Sequence, residues 1–273
     1  GDGAVLNATP IMLGEGQTRV HVTKSFTVGT ANGVEWEMRG GTACSLSGAN
    51  VNVTRTAKAQ DLVLTSYLGD FEKRFLVTVY PQIFQGQGTE SDPYLIKDKN
   101  DMQLLSDAIN NQGLDFTGEY LSMTQDIDMA GVTDFQPFGF GSTAVCPFNG
   151  NFNGNGHAIK NLGIDALTNK VMNVGLFIMV ANDGVVRNLV IDKSCRFKVF
   201  RNFAPVAATV YGTVENCRNY ADVPSTEGFS AGIVTFLYGT IRNCFNAGTI
   251  SATEKNGYLG GIFCSAYAGS TVE

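Results

Sequence analysis

Two histidines, six cysteines and 25 acidic side chains are the residues of this 273-residue chain that could do chemistry. His21 and His157 stand far apart and neither belongs to an HExxH motif, the spacing that puts two imidazoles on zinc and a glutamate beside its water. The cysteines (Cys44, Cys146, Cys195, Cys217, Cys244 and Cys264) form no CxxC pair, so zinc-ribbon and thioredoxin readings have no support, and free thiols packing as small apolar groups are expected. Carboxylates leave one catalytic option. Asp165 and Asp192 are 27 residues apart, and stacking one coil above the other would bring them close to a retaining-glycosidase separation. Each follows an isoleucine at a strand end, however, which favours solvated turn aspartates. Asp126, Asp128 and Asp134 could ligate Ca²⁺, but turn capping accounts for them as well. No catalytic residue, metal ligand or cofactor is assigned.

The elements that would position these side chains repeat. Ile159-Lys160-Asn161-Leu162 recurs as Val186-Arg187-Asn188-Leu189, Val214-Glu215-Asn216-Cys217 and Ile241-Arg242-Asn243-Cys244, with the asparagines 27, 28 and 27 residues apart. Small turns precede the later copies at Gly184, Gly212 and Gly239. A second spot follows each copy: Gly175-Leu176-Phe177, Ala204-Pro205-Val206, Gly232-Ile233-Val234 and Gly261-Ile262-Phe263. A fixed period of this length means a solenoid, and segments rich in Val, Ile, Thr, Gly and Asn exclude helical repeats. A parallel β-helix fits, with coils stacked about 4.8 Å apart. Asn161, Asn188, Asn216 and Asn243 are then expected as a ladder at a bend, and Leu162, Leu189, Cys217 and Cys244 as an interior column. Ser270–Glu273 restarts the strand of Thr213–Glu215, so the chain is expected to stop inside a coil of a longer protein.

Composition agrees. Glycine contributes 32 residues and asparagine 22, of which 14 lie between Asn149 and Asn246. With 44% hydrophobic and 16% charged residues, the chain can build a core and is not disordered. Glycine has no period of three, which excludes collagen, and no apolar run reaches membrane-spanning length. The net charge of −6 disfavours a nucleic-acid partner. Gly1-Asp2-Gly3 is not a signal peptide and reads as a mature or trimmed start.

Residues 1–82 differ from the rest. Short period-2 runs, separated by Gly, Asn and Asp turns, predict about six strands of an antiparallel sandwich with Trp36 in its core. The Phe75–Tyr80 run resembles the last strand of bacterial immunoglobulin-like domains. Gln85-Gly86-Gln87-Gly88 marks a joint, so residues 1–82 and 83–273 are expected as two domains. One helix is predicted at Asp101–Asn110, capped by Asn100 or Asp101, with an apolar face of Met102, Leu104, Leu105, Ala108 and Ile109 closing a neighbouring core.

The blocks Gly88-Thr89…Asp92-Pro93-Tyr94, Tyr120…Asp126-Ile127-Asp128-Met129, Phe148…Phe152-Asn153-Gly154-Asn155-Gly156-His157 and Gly175-Leu176-Phe177 resemble, in residues and order, the GLUG-motif β-helix proteins on the surface of Bacteroides-type gut bacteria. Related segments occur beside the catalytic domain of IgA-cleaving metalloproteases. The likeness covers about residues 86–273, although Gly-Leu-Phe becomes Ala-Pro-Val at 204–206. It implies a secreted or outer-membrane-anchored cell-surface protein of a Gram-negative bacterium, of a kind often labelled an adhesin. Any membrane attachment would come through a lipid anchor absent from this chain.

Two features could serve binding. Tyr211 and Tyr238 are 27 residues apart, Tyr267 follows in the next coil, and a tyrosine column would offer flat amphipathic faces for sugar stacking or protein contact. Arg187, Lys193, Arg196, Lys198 and Arg201 form a basic stretch suited to anionic glycans or a protein. The expected whole is all-β: an immunoglobulin-like sandwich followed by a capped, right-handed parallel β-helix with GLUG-like repeats. Its expected function is non-catalytic adhesion to a glycan or a host or bacterial surface protein through the helix flank. The alternatives are a glycoside hydrolase or polysaccharide lyase with a site on that flank, and a non-catalytic segment of a larger IgA-protease-like protein.

Overall fold

A computed structural model describes residues 6–7, 19–56, 58–140, 145–225, 228–253 and 257–273; Gly1-Asp2-Gly3 lies outside them. The contacts divide the chain into two units, Gly1–Ile83 and Phe84–Glu273.

The first unit consists of two four-stranded sheets. Leu6–Asn7, Phe26–Val28, Asn50–Val53 and Cys44–Ser47 form one; Arg19–Val22, Phe71–Val79, Gln60–Leu68 and Glu35–Arg39 form the other. Alternation sends Phe26, Val28, Val51, Leu62, Leu64, Phe75 and Val77 into one shared core. Trp36 packs at its margin, half-buried, 6.1 Å from the Phe75 ring, and donates its indole N–H to the Gly29 carbonyl at 2.9 Å. The expected all-antiparallel order fails at one strand: Arg19–Val22 runs parallel to Phe71–Val79, with Val20 opposite Val77. No hairpin joins these two strands, so nothing local imposes an antiparallel direction.

The second unit is a parallel β-solenoid. Its longest sheet has seven strands, one per rung: Tyr94–Ile96, Tyr120–Met123, Asn151–Asn153, Val185–Arg187, Thr213–Glu215, Thr240–Arg242 and Thr271–Val272. Tyr94, Leu121, Phe152, Val186, Val214 and Ile241 pair in register and are all buried. A second sheet stacks Ile127–Asp128, Ala158–Lys160, Val190–Ile191, Arg218–Asn219 and Phe245–Asn246. Two four-stranded sheets and two strand pairs complete the coils.

The turn back to the long sheet contains Gly184, Gly212 and Gly239, one above another. A Cβ on Gly212 would collide with the carbonyl oxygens of Gly184 and Ala181, and one on Gly239 with those of Gly212 and Tyr211. The rungs close only because these positions lack side chains.

The helix spans Lys99–Asn110, two residues earlier than predicted. Its N-cap is Asp98, which accepts from the backbone N–H of Asn100 at 2.8 Å and of Asp101 at 3.0 Å, leaving the predicted caps Asn100 and Asp101 inside the first turn. Met102, Leu105, Ser106, Ala108 and Ile109 are buried, but Leu104 is exposed and not part of the apolar face.

Two predicted columns need correction. Asn188, Asn216 and Asn243 do lie at one corner, all left-handed, with φ of 54°, 52° and 51°. Asn161 has the same conformation, φ 53°, at a different corner. It ends a strand of the second sheet, whereas Val186 stacks on Phe152 and Ile159 on Ile191. The first coils are longer than the later ones, so the first 27-residue spacing links equivalent bends rather than stacked residues. Leu162 therefore leaves the interior column. It lies at the register of Cys195, and the column proper is Leu189, Cys217 and Cys244. Similarly, Phe177 stacks on Ala207, Val234 and Phe263, so Pro205-Val206-Ala207 rather than Ala204-Pro205-Val206 matches Gly175-Leu176-Phe177.

Candidate functional site

The carboxylate readings are settled by register. Asp165 lies opposite Lys198, whose Nζ is 3.3 Å from its Oδ2, and it caps its own turn through the N–H of Thr168. Asp192 follows a strand of the second sheet and binds Ser194 through its N–H and Oγ. The two aspartates belong to different sheets, so the stacked carboxylate pair does not form. Asp126 accepts from Lys160 at 2.7 Å and from the Ala158 N–H, and Asp128 from Asn161 and the Ala130 N–H. These donors hold the carboxyls of Asp126 and Asp128 below the ordinary range, led by Lys160 and Asn161 respectively. His157 stands 3.6 Å from Asp126. Among the described residues, no group of three or more His, Cys, Asp or Glu side chains is placed to hold a metal ion.

The tyrosines form the predicted column. Each follows a strand of the sheet built by Val180, Val210 and Leu237, and its backbone N–H bonds to the rung before. Tyr211 and Tyr238 stack at 4.7 Å with planes 15° apart, and Tyr238 and Tyr267 at 4.2 Å with planes 3° apart. The predicted use of the rings must change, because their faces cover one another. What reaches solvent is chiefly ring edges and hydroxyls. Burial, and then a hydrogen bond with Tyr267, push the Tyr238 phenol above its ordinary range.

In the same rungs, two further columns follow on the outward side of the long sheet. Val214 and Ile241 point inward, so their neighbours point out: Thr213, Thr240 and Thr271 form one column. The other alternates in charge, Arg187, Glu215, Arg242 and then Glu273. Arg242 Nε lies 2.7 Å from Glu215 Oε2, and its Nη1 lies 3.8 Å from Glu273 Oε2. Sequence reasoning missed both columns, although the signal was there. The residue before each corner asparagine alternates between Arg and Glu, and a Thr precedes by two in the last three copies.

The basic stretch divides. Arg187 belongs to the charged column, with its buried Nε unpaired. Arg196 and Lys198 point outward from the strand pair Gly163–Asp165 and Arg196–Lys198, flanking the inward Phe197. Arg196 donates to the carbonyls of Lys193 and Cys195 at 2.7 and 2.8 Å. Lys193 is exposed before that strand and Arg201 after it.

The asparagine amides also differ from expectation. Asn161 donates to Asp128 at 2.8 Å, and Asn188 to Asn153 at 2.9 Å. The amide ladder that does form is interior: Asn219 and Asn246 continue the column of Ile127, Ile159 and Ile191, with Asn219 Nδ2 donating to Asn246 Oδ1 at 2.9 Å. Fully buried Asn219 also bonds both backbone groups of Ala221. All six cysteines are free. Burial pushes the Cys217 thiol up, while a hydrogen bond with Cys217 lowers that of Cys244.

Fold and surface together define an all-β protein whose larger unit is a parallel β-solenoid bearing side-chain columns on an outer face. No family model matches the chain. It is similar to halomucin of Haloquadratum walsbyi, 33% identical over 120 residues, covering 41% of this chain and 1% of that protein. Among solved structures, a "putative immunoglobulin A1 protease" from Bacteroides ovatus is similar with a TM-score of 0.46 and 21% identity, over 68% of this chain and 66% of the other. The chain thus spans a small fraction of halomucin and just under two thirds of the Bacteroides chain. Among the described residues, no helix is long and apolar enough to cross a membrane.

Proposed function

We propose that this chain is a non-catalytic adhesion or ligand-binding protein of a bacterial cell surface, secreted or anchored, whose contact surface is the ladder face of the solenoid. The observation that carries this reading is the in-register sequence of tyrosine, threonine and alternating-charge columns across the last rungs. Repeated hydroxyls and fixed charges on a rigid sheet suit many weak contacts to an extended partner such as a glycan or a surface protein. Stacking already restrains the tyrosine rings, so little side-chain entropy is lost on contact. The residue blocks shared with GLUG-motif surface proteins support the same setting, as does the part-length likeness to a protein named as a mucin. On this reading the first unit is an immunoglobulin-like spacer.

The test exposes the chain to a glycan array and to immobilised mucin glycoprotein, with product analysis for hydrolysis and elimination. Binding without turnover is expected, and it should weaken about tenfold in Tyr238→Ala, roughly 1.4 kcal/mol. Cleavage products would overturn the non-catalytic reading. Binding that survives both Tyr238→Ala and Arg242→Ala would remove the ladder face from it.

A further inference from the structure

A second surface lies at the other end of the solenoid sequence, between the helix Lys99–Asn110 and the segment Asp134–Phe140. The two walls enclose a cleft of about 300 Å³. They are tied together by helix side chains. Ser106 Oγ donates to the Gln136 carbonyl at 2.7 Å, Asn110 Nδ2 donates to the Pro137 carbonyl at 3.0 Å, and the Gly139 N–H donates to Asn110 Oδ1 at 2.8 Å. One asparagine therefore bridges both backbone polarities of the opposite wall, and the cleft is formed without a ligand.

Its lining has a definite chemistry. Gln103, Asn111 and Gln136 bring amides, Asp107 and Asp134 bring carboxylates, Phe135 and Phe140 bring rings, and no Lys, Arg or His is among them. Asp107 is held by two amide donors, Asn111 Nδ2 at 2.7 Å on one oxygen and Gln112 Nε2 at 2.8 Å on the other. Each oxygen keeps a further lone pair for a hydroxyl donor. Without a cation the cleft disfavours phosphate, sulfate and carboxylate ligands. A purely cationic ligand would use the carboxylates but leave the amide donors idle. A neutral polyhydroxyl ligand uses all three groups: hydroxyls donate to carboxylates, accept from amides and donate to amide oxygens, while apolar C–H faces lie against aromatic rings.

We infer that this cleft is a binding site for a neutral saccharide, one or two sugar units in size, separate from the ladder face. Its residues are shared with none of the three columns, so it stands whether or not the ladder face binds anything.

The experiment is saturation-transfer NMR on the full chain with a panel of neutral mono- and disaccharides at millimolar concentration, followed by titration of the best binder. Gln103→Ala removes an exposed helix side chain, Phe140→Ala a ring and Asp107→Ala the oriented carboxylate. Each is expected to weaken binding at least about fivefold, and Tyr238→Ala is expected to leave it unchanged. Because Asp107→Ala could also loosen the helix end, Gln103→Ala is the deciding variant. No saturation transfer from any neutral sugar would overturn the inference. So would binding indifferent to Gln103→Ala and Phe140→Ala, or a preference for simple amines over sugars.

Discussion

The early and late rungs of the solenoid solve the same packing problem differently. In the early rungs, phenylalanines fill the coil. Phe177 meets Phe138, Phe148 and Phe152 at ring distances of 5.0, 5.1 and 5.5 Å, and Phe148 meets Phe116 at 6.2 Å. Register there advances unevenly, from Leu121 to Phe152 to Val186. In the late rungs the step is regular, from Val186 to Val214 to Ile241, and the interior holds small residues such as Ala204, Ala207, Ala208 and Val234. Uneven coils leave variable space that large rings can fill from several directions, whereas even coils place like residues on like residues. The columns of tyrosine, threonine and charge are therefore confined to the late rungs, and the cleft to the early ones.

The largest effect that would break this comparison is expected in the early rungs. Phe177→Ala removes the ring that three others contact, and should cost about 3–5 kcal/mol in urea unfolding followed by far-ultraviolet circular dichroism. A loss under 1 kcal/mol would mean that the ring cluster is not what fills these coils. The late rungs should be most sensitive at their glycines instead. Gly239→Ala places a methyl group against the backbone carbonyls of Gly212 and Tyr211, which no side-chain movement relieves, and a loss of about 1–3 kcal/mol is expected. Gly156→Ala is not an equivalent control, since its φ is +78°. Gly163→Ala is suitable, because a Cβ there meets nothing within 4 Å.

The late rungs were also the legible part of the sequence. Their period exposed the solenoid, the tyrosine stack and the left-handed corner, because a backbone that repeats its geometry selects the same residues at the same spacing. The same logic misled at Asn161. A strand followed by a left-handed asparagine is a local unit, and it occurs at two corners of the coil, so spacing alone cannot say which corner is meant. The cleft was not legible. It needs Asn110 on a helix to meet Pro137 and Gly139 about thirty residues away, a contact that no period announces. The charged column was legible and overlooked, since alternation of Arg and Glu reads as scatter until the rungs are aligned.

The corner itself offers a sharper comparison. Asn188, Asn216 and Asn243 occupy a backbone region that costs most residues about 1–2 kcal/mol. Asn216→Ala should lose about that amount, and Asn216→Gly should retain stability close to wild type. If Gly fails where Asn succeeds, the side chain matters and conformation alone does not account for the column. Equal losses for Ala and Gly would give that result.

The smallest expected effect concerns pH, and it separates the two regions again. Asp126, Asp128, Asp165 and Asp192 all have carboxyls held below the ordinary range, led by hydrogen bonds from Lys160, Asn161, the Thr168 N–H and Ser194 respectively. A carboxyl lowered on folding contributes stability that is complete above its unfolded value and disappears as pH falls through its folded value. All four lie between residues 126 and 192, so acid should loosen that stretch first. Each group is largely solvent-exposed, which keeps its share small. Hydrogen exchange, corrected for the intrinsic rate and compared between pH 5 and pH 3, should show lost protection at the Ala130, Ala158, Thr168 and Ser194 amides, which bond to these carboxylates. The Tyr238 and Thr240 amides bond instead to the carbonyls of Val210 and Gly212, which do not titrate, and should keep their protection. Asp126→Asn should flatten the response at Ala158 alone. A uniform loss along the solenoid would show that the rungs open as one unit, and that the division between early and late coils ends at packing.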